Sequence, residues 1–397
     1  MVTSSKKRTF AHTEGSRTCC MRGNAVAPER LEQPDARQHH LIEALQIWTY
    51  AIPGVRNASL PPFTGRPNPL VIPDSVVASV CSPGAISVLD KNSGRLQWSH
   101  KLDAFGGSCV IHADGKIYAK SSRTLYCLDA TSGHQDWTFS PSLTSRESIY
   151  SSATFHRGRV LIGDRAGMFH CLDALSGERM WAHKVSTGRN NQVNSTAAIH
   201  DEMAVIGCND ALVAAYDVLT GVVVWKQSID GPCTTEILTH AGKVFAATRG
   251  SVYTLDAATG EILFRKRWQH MEVRSMTMCG DAVVAVLRPE ATGSSRVWNR
   301  AHTEPLQMVA FSGDSELFHE ETAEFIVGIR FDGDSGLIYE SRLDGLGIVD
   351  PSTGERLHNI HSEVEPVGYG LVDVDAGGIY AMDGSSVYRL RRPLNEP

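Results

Sequence analysis

One short pattern recurs along the chain and constrains the fold more than any other feature. In LYCLDATSGHQDWTF, at positions 125–139, an apolar pentad ends in Asp, a turn containing Gly follows, and a Trp comes eight residues after the Asp. The Asp recurs at Asp90, Asp129, Asp173, Asp217, Asp256 and Asp350. Gly follows four residues later each time, at Gly94, Gly133, Gly177, Gly221, Gly260 and Gly354. Trp takes the eighth position at Trp98, Trp137, Trp181 and Trp225, and Phe264 and His358 take it in the other copies.

Two degenerate copies bring the series to eight. QMVAF places Phe311 in the Asp position, and VYRLR places Arg391 there. The spacings between successive copies are 39, 44, 44, 39, 55, 39 and 41 residues. A period near 40 residues is typical of the blades of a β-propeller.

The chemistry of the repeat predicts how each unit folds. The pentad alternates in polarity over a strand length and is rich in Val, Leu and Tyr, which suits a half-buried strand. An Asp at its end can accept hydrogen bonds from backbone N–H groups two or three residues on, and Gly supplies the positive φ of the turn. Two further short runs precede each pentad, as in SCVIHADGKIYAK. Each unit is therefore predicted to be a four-stranded antiparallel blade.

The eighth unit ends after its third strand, without a Trp strand. Near the start of the chain, LQIWTYAIP contains Trp48 in a lone apolar run with no pentad before it. We therefore predict an all-β, eight-bladed propeller whose last blade is closed by an N-terminal strand at residues 46–51, because closure removes the exposed sheet edges. The propeller is expected to span residues 46–392. Residues 1–45 are expected to form a disordered or partly helical tail, and residues 393–397 a short C-terminal tail.

The LDxxTGxxxW pattern resembles the repeat of pyrroloquinoline-quinone-like, or BamB-like, propellers, over residues 46–392. This group includes quinoprotein alcohol dehydrogenases and the BamB type of outer-membrane assembly lipoprotein. In the dehydrogenases, the resemblance implies a quinone held over a channel Trp, beside a calcium ion, a catalytic Asp and a disulfide between adjacent cysteines. Here the adjacent pair, Cys19 and Cys20, precedes the first blade strand. We expect no cofactor.

Composition limits the classes of partner. Lys and Arg number 38 and Asp and Glu 44, giving a net charge of −6, so the chain lacks the basic character of most nucleic-acid-binding proteins. No run of about 18 apolar residues indicates a membrane span, and no signal peptide is apparent. Nine cysteines without a CxxC pair favour a reducing compartment, and the histidines form no metal-binding motif. These observations predict a cytoplasmic monomer without a metal site, bound to neither nucleic acid nor membrane.

Two groups of residues are candidates for a functional site. Polar segments lead into several innermost strands, where the central channel should open, and convergent polar groups at such a mouth are a sensible ligand site. These candidates are Arg146, Glu147, Tyr150, Arg189, Asn191, Asn194, Glu236, Glu272 and Arg274. The second group belongs to a polar insertion at 288–305, where loops often carry function. Its members are Arg296, Trp298, Arg300 and His302.

Each group has an alternative interpretation. The mouth residues would form an ordinary hydrated rim, and the segment at 288–305 would be a tolerated, disordered insertion. No catalytic residue is identified. The first functional hypothesis is a non-catalytic binding or scaffold propeller that recognises a protein, a peptide or a small polar molecule at one channel mouth. The second is an enzyme of a specialised biosynthetic pathway with its active site at that mouth. A quinone dehydrogenase and a BamB-like periplasmic role rank below these, because fold alone does not decide function.

Overall fold

The computed structural model describes residues 39–41, 45–53, 69–80, 84–103, 110–141, 149, 151–233, 235–290, 306–322, 326–342, 345–361, 372–382 and 386–393. Within these ranges the chain forms eight antiparallel four-stranded sheets, and a fifth strand joins one of them. We number the sheets blade 1 to blade 8 in chain order. No helix in this part of the chain is both long and apolar enough to cross a membrane.

Blades 1 to 4 each consist of four consecutive strands. Blade 1 contains β3 (Pro69–Ile72), β4 (Ser75–Val80), β5 (Ala85–Asp90) and β6 (Leu96–Lys101). Blade 2 contains β7 (Ile111–Ala113), β8 (Lys116–Lys120), β9 (Leu125–Asp129) and β10 (Gln135–Phe139). Blade 3 contains β11 (Thr154–His156), β12 (Arg159–Gly163), β13 (Met168–Asp173) and β14 (Arg179–Lys184). Blade 4 contains β15 (Ala198–His200), β16 (Met203–Cys208), β17 (Leu212–Asp217) and β18 (Val223–Ser228).

Blades 5 and 6 follow the same order, and blades 7 and 8 each take a strand from the start of the chain. Blade 5 contains β19 (Leu238–His240), β20 (Lys243–Ala247), β21 (Ser251–Asp256) and β22 (Ile262–Arg267). Blade 6 contains β23 (Met271–Cys279), β24 (Ala282–Pro289), β25 (Leu306–Ser312) and β26 (Ser315–Thr322). Blade 7 contains β27 (Ile326–Asp332), β28 (Leu337–Arg342), β29 (Gly345–Val349), β30 (Arg356–His361) and β1 (His39–Leu41). Blade 8 contains β31 (Asp373–Asp375), β32 (Gly378–Met382), β33 (Ser386–Leu390) and β2 (Gln46–Ala51).

The ring closes between the two ends of the chain. Strand β2 pairs antiparallel with β33, and Trp48 lies opposite Arg389. Strand β3 of blade 1 contacts β31 of blade 8, where Val71 N donates a hydrogen bond to Asp373 Oδ2 at 2.7 Å. The predicted eight-bladed propeller with an N-terminal closing strand at residues 46–51 is therefore confirmed.

The sequence did not predict the strand that precedes the closing strand. Strand β1 pairs in parallel with β30, the outer strand of blade 7, and His39 lies opposite Asn359. Leu45, between β1 and β2, is buried among apolar side chains of blades 7 and 8, including Ile348 and Ile379. The N-terminal segment therefore contacts both blades at the closure. Residues 1–38 of the predicted tail lie outside the described residues.

The recurrent Trp joins each blade to the next. Trp98 of blade 1 covers Gly133 of blade 2 and donates its indole N–H to Ala130 O at 3.0 Å. Trp48, Trp137, Trp181 and Trp225 make the equivalent hydrogen bonds, at 2.9–3.0 Å, to the carbonyls of Lys91, Ala174, Val218 and Ala257. Each acceptor directly follows a recurrent Asp. Burying the ring against the neighbouring turn satisfies the only polar atom of the side chain.

The recurrent Asp fixes the turn that the Trp covers. Asp129 Oδ1 accepts hydrogen bonds from Ser132 N at 2.9 Å and from Ser132 Oγ at 2.8 Å, and Gly133 N donates to Asp129 O at 2.9 Å. Gly133 has a φ of +71°, a conformation that glycine adopts without strain. These contacts with Ser132, together with Lys116, hold the pKa of Asp129 at about 2.

Two exceptions to the Trp pattern occur where the next blade lacks the Asp–Gly turn, and a third occurs in blade 6. Phe264 of blade 5 precedes blade 6, whose Asp position holds Phe311, and His358 of blade 7 precedes blade 8, whose Asp position holds Arg391. In blade 6 the covering ring is Phe318, which lies over Gly354 of blade 7. A Phe ring can therefore take the place of the Trp over an intact Asp–Gly turn.

The core lies between the faces of adjacent blades. Side chains of the two middle strands are almost all buried, as with Val76 and Leu89 of blade 1, which pack with Trp48 and Tyr380 of blade 8. The described cysteines are free and lie in or beside these layers: Cys127, Cys171, Cys208, Cys233 and Cys279. Burial raises the pKa of the Cys171 thiol to about 12, so it packs as a small neutral side chain.

Candidate ligand site at the channel mouth

The innermost strand of every blade begins on the same face of the ring. The connection from the outer strand of the preceding blade arrives on this face, and the turn between the second and third strands lies there too. We call it the mouth face. Successive first strands contact one another, as β23 does β27, and so surround a central channel.

Six of the predicted mouth residues are described, and they fall on three consecutive blades. Arg189, Asn191 and Asn194 precede β15 of blade 4, Glu236 precedes β19 of blade 5, and Glu272 and Arg274 lie in β23 of blade 6. The other predicted site residues lie outside the described part of the chain: Arg146, Glu147, Tyr150, Arg296, Trp298, Arg300 and His302.

Glu236 lies within electrostatic range of a cation two blades further around the ring. Its carboxylate interacts with Arg330, in the innermost strand β27 of blade 7. Blade 6 lies between the two blades. Glu236 is open to water on one side and surrounded by protein on the others. Burial raises its pKa, and the Arg330 charge offsets part of the rise.

Arg330 also binds a buried carboxylate on the neighbouring blade. Its guanidinium donates to Asp373 Oδ1, in β31 of blade 8, at 2.7 Å. Val71 N, on blade 1, donates to the other carboxylate oxygen. Burial raises the pKa of Asp373, against the lowering effect of Arg330 and of the two backbone N–H donors, Val71 and Val374. Glu236, Arg330 and Asp373, on blades 5, 7 and 8, thus form a series of charges of alternating sign.

Blade 6 contributes a second charged group. Arg288 Nη2 donates to Glu272 Oε2 at 2.5 Å, and Arg249 Nε lies 3.8 Å from Glu272 Oε1. Arg274, two residues further along the same strand, is exposed to the channel. Its pKa is lowered by burial and by the nearby Arg288 charge, while Glu272 opposes this effect. Three cations, Arg249, Arg274 and Arg288, therefore lie around Glu272.

The three predicted residues of blade 4 have different roles. Arg189 is exposed to solvent, whereas Asn191 and Asn194 help to form a loop. Arg189 is exposed, and its side chain makes no hydrogen bond or ion pair with a described residue. Asn194 Nδ2 donates to Gln192 Oε1 at 3.5 Å, and the carbonyl of Asn191 lies against Gly167. Arg189 is thus the blade 4 residue that is free to contact a ligand.

Two channel residues were missed by the sequence analysis, Arg330 and Asp373. Both lie in innermost strands, in the stretches FIVGIRF and LVDVD. The signal available was a charged residue within a first strand, rather than in the segment that leads into it.

The ends of the insertion in blade 6 lie on the mouth face. Strand β24 ends at Pro289 and β25 begins at Leu306, which makes the insertion a connection between the second and third strands of the blade. Glu290 N donates a hydrogen bond to His270 O at 2.8 Å, which ties the start of the insertion to the connection between blades 5 and 6.

Comparison with known proteins identifies the family. The family model described as outer membrane protein assembly factor BamB matches the chain twice, over residues 45–209 and 209–360. The chain belongs to the BamB family. A search of curated proteins finds no match.

Solved structures share the propeller of this BamB-family chain at low identity. BamB from Moraxella catarrhalis is 19% identical, with a TM-score of 0.55, over 72% of this chain and 81% of that one. The computationally designed Ika8 protein is 16% identical, with a TM-score of 0.65, over 82% and 96%. A quinohemoprotein alcohol dehydrogenase from Pseudomonas putida HK5 is 14% identical, with a TM-score of 0.65, over 89% and 78%. Because these proteins differ so widely, the likeness shows the fold alone.

The described channel does not match the quinone site that the dehydrogenase resemblance implies. Such a site needs a calcium ion beside the cofactor, and calcium takes several oxygen ligands. Among the described residues, no group of three or more His, Cys, Asp or Glu side chains is placed to hold a metal ion. Asp373, a channel carboxylate, is instead occupied by Arg330 and Val71 N. We derive no step through a quinone.

Proposed function

We propose that this BamB-family propeller is a non-catalytic binding protein that recognises a peptide-like or small zwitterionic ligand at its channel mouth. The observation that carries the proposal is the Glu236 carboxylate, which is exposed at the mouth and lies within electrostatic range of Arg330, two blades further around the ring. The Glu236 carboxylate makes no hydrogen bond with a described residue. A ligand ammonium group would supply the partner that this carboxylate lacks.

The cations around the mouth suit the other end of such a ligand. Arg274 projects from the adjacent blade 6, and Arg189 lies on blade 4 at the same face. A ligand carboxylate beside Arg274 would offset the repulsion that Arg274 experiences from Arg288. Complementary charges of both signs favour a zwitterion over a polyanion, and they act mainly on specificity.

The family supports a protein or peptide partner. The family model is described as an assembly factor, and one structural neighbour is BamB itself. A peptide terminus combines a charged group with extended backbone, and both fit a rigid, polar channel mouth.

The proposal is tested with zwitterionic dipeptides, measured by isothermal titration calorimetry on the wild type and three variants. Glu236→Gln and Arg274→Ala should each weaken binding by at least tenfold while leaving the melting temperature within a few degrees. Arg179→Ala, on the opposite face, should bind as the wild type does. If no dipeptide binds, or if the Glu236→Gln and Arg274→Ala variants bind as well as the wild type, the channel mouth is not the site.

A further inference from the structure

A second cleft opens on the mouth face, between blades 5 and 6. It has a volume of about 440 Å³. Its walls come from the connection between blades 4 and 5, the turn between β20 and β21, the connection between blades 5 and 6, and the end of β24. The size is that of clefts that hold a small organic molecule.

The indole of Trp268, which lines this cleft, differs from every other described tryptophan. Trp48, Trp98, Trp137, Trp181 and Trp225 each donate their N–H to a carbonyl of the next blade. Trp268 packs edge-on against Phe311, with ring centroids 5.9 Å apart, and its N–H bonds no described residue. Its Nε1 atom is not buried, so water reaches it. Trp268 therefore presents a free donor.

Three cationic or ionisable donors line the same cleft. Arg267 and His270 are exposed, and their side chains contact no described hydrogen-bond acceptor. Arg249 is largely exposed, and its nearest acidic oxygen is that of Glu272, at 3.8 Å, which is too long for a strong hydrogen bond. Four donor side chains thus line one cleft, and of these only Arg249 lies near a described carboxylate, that of Glu272.

The two carboxylates that line the cleft, Asp230 and Glu290, do not pair with these donors. Asp230 is already satisfied, since it contacts Arg265 and accepts hydrogen bonds from Thr248 Oγ1 at 2.9 Å and Ser251 Oγ at 3.1 Å. Glu290 is exposed and unpaired. The cleft thus holds one unpaired carboxylate beside the guanidinium groups of Arg267 and Arg249, the second of which is only weakly paired with Glu272. This balance of charge permits one bound oxyanion and disfavours a polyanion.

We infer that this cleft binds a small molecule through a single oxyanion, a carboxylate or a phosphate, held by Arg249, Arg267 and the indole N–H of Trp268. Guanidinium groups bind both oxyanions through paired N–H donors. The inference does not depend on the channel mouth, because the two sites share no ligand-binding side chain.

The indole N–H of Trp268 reports binding directly. Two-dimensional ¹H–¹⁵N spectra are recorded while sodium phosphate or sodium acetate is added at constant ionic strength, with sodium chloride as the reference. The Trp268 resonance is assigned with Trp268→Phe, which keeps the contact with Phe311. We expect a saturable shift of this resonance, whereas the resonances of the five interblade indoles stay in place. Saturation with phosphate, with acetate or with both identifies the oxyanion and supports the inference.

The double variant Arg249→Ala with Arg267→Ala should weaken this binding by at least tenfold, and Arg179→Ala should leave it unchanged. Unshifted interblade indole resonances in the double variant would show that its fold is retained. The inference is overturned if neither anion produces a saturable shift, if chloride shifts the resonance equally, or if the folded double variant binds as the wild type does.

Discussion

The indole ring of Trp98 lies so close over Gly133 that a Cβ atom on this glycine would come within 2.5 Å of the ring. The same Trp donates its N–H to Ala130 O, three residues before that glycine. A side chain from one blade thus binds both ends of a turn in the next blade. The contact joins neighbouring blades through one buried ring and one hydrogen bond.

Gly133→Ala should destabilise the fold by roughly 2–4 kcal/mol, because it combines strain at positive φ with overpacking against Trp98. Gly115→Ala is the matched control. Gly115 has a φ of +72°, almost the same as the +71° of Gly133, but a Cβ there would meet nothing within 4 Å. It should cost only about 1 kcal/mol. Urea denaturation measures both, and equal losses would show that the Trp contact adds nothing.

Removing residues 1–51 should lower the melting temperature far more than removing residues 1–38. The longer deletion takes away strands β1 and β2 and leaves the edge of β33 open. It also removes Trp48, which covers Gly94. In the intact chain, Trp48→Ala should cost about 3–5 kcal/mol. Calorimetric melting midpoints compare the two shortened proteins, and equal midpoints would contradict closure by β2.

Asp129 should make stability depend on acid pH. Its folded pKa of about 2 lies below the ordinary value of 3.8, so the ionised form stabilises the fold. This contribution is complete above about pH 4 and is lost as the pH falls through the folded pKa. Asp129→Asn keeps an oxygen acceptor for Ser132 but has no charge to titrate, so its stability should fall less steeply between pH 4 and pH 2.

Urea midpoints measured across this range test the prediction. Asp201→Asn, at an exposed residue, is the control and should follow the wild type. A slope for Asp129→Asn equal to that of the wild type would show that this carboxylate is not linked to folding.

Glu236→Gln should raise the melting temperature at neutral pH. Burial raises the folded pKa of Glu236 above its ordinary value of 4.5, so the ionised carboxylate opposes folding. The Glu236 carboxyl therefore costs the fold nothing while it is protonated in both the folded and the unfolded state. The free energy of unfolding falls as the pH rises from the ordinary pKa of 4.5 to the raised folded pKa. Glu236→Gln removes the destabilisation by the ionised carboxylate. Its higher melting temperature relative to the wild type should therefore vanish below about pH 4.

Scanning calorimetry at pH 7 and pH 4 measures this difference, with the exposed Glu178→Gln as the control. A lower melting temperature for Glu236→Gln at pH 7 would mean that the carboxylate is needed by the fold. A higher one would fit a charge retained for ligand recognition.

The repeat made most of the architecture predictable. The Asp–Gly–Trp spacing reflects contacts within one turn and between neighbouring blades, so the pattern is visible at fixed separations. Trp48 could be placed because its strand, at residues 46–51, has no pentad before it. The last blade has a pentad but no Trp strand after it, so the two complete one blade. Phe318 could not be placed in the same way. The repeat puts the covering ring eight residues after the Asp position, which in blade 6 is His319. The tight turn at Gly313 moves the ring to Phe318, one residue earlier.

Features without a fixed spacing were harder to predict. Strand β1 has only three residues and pairs in parallel with β30, and its sequence HHL carries no alternation. The channel pair Glu236 and Arg330 comes from blades 5 and 7, and nothing in the local sequence of either residue indicates the other. Such a pair appears only when blades 5, 6 and 7 are assembled side by side, so the sequence located one member and missed its partner.

Closure by β2 also sets an order of events during synthesis. Thr49 of β2 contacts Val387 of β33, 338 residues later in the chain. At about 5–20 residues per second, β2 leaves the ribosome on the order of 20–70 s before the strand it must pair with. Blades 1 to 7 can assemble during that interval, whereas blade 8 cannot. The nascent chain must therefore keep an apolar strand containing Trp48 unpaired until its last strands emerge, and chaperones that bind short apolar segments would act at this stage.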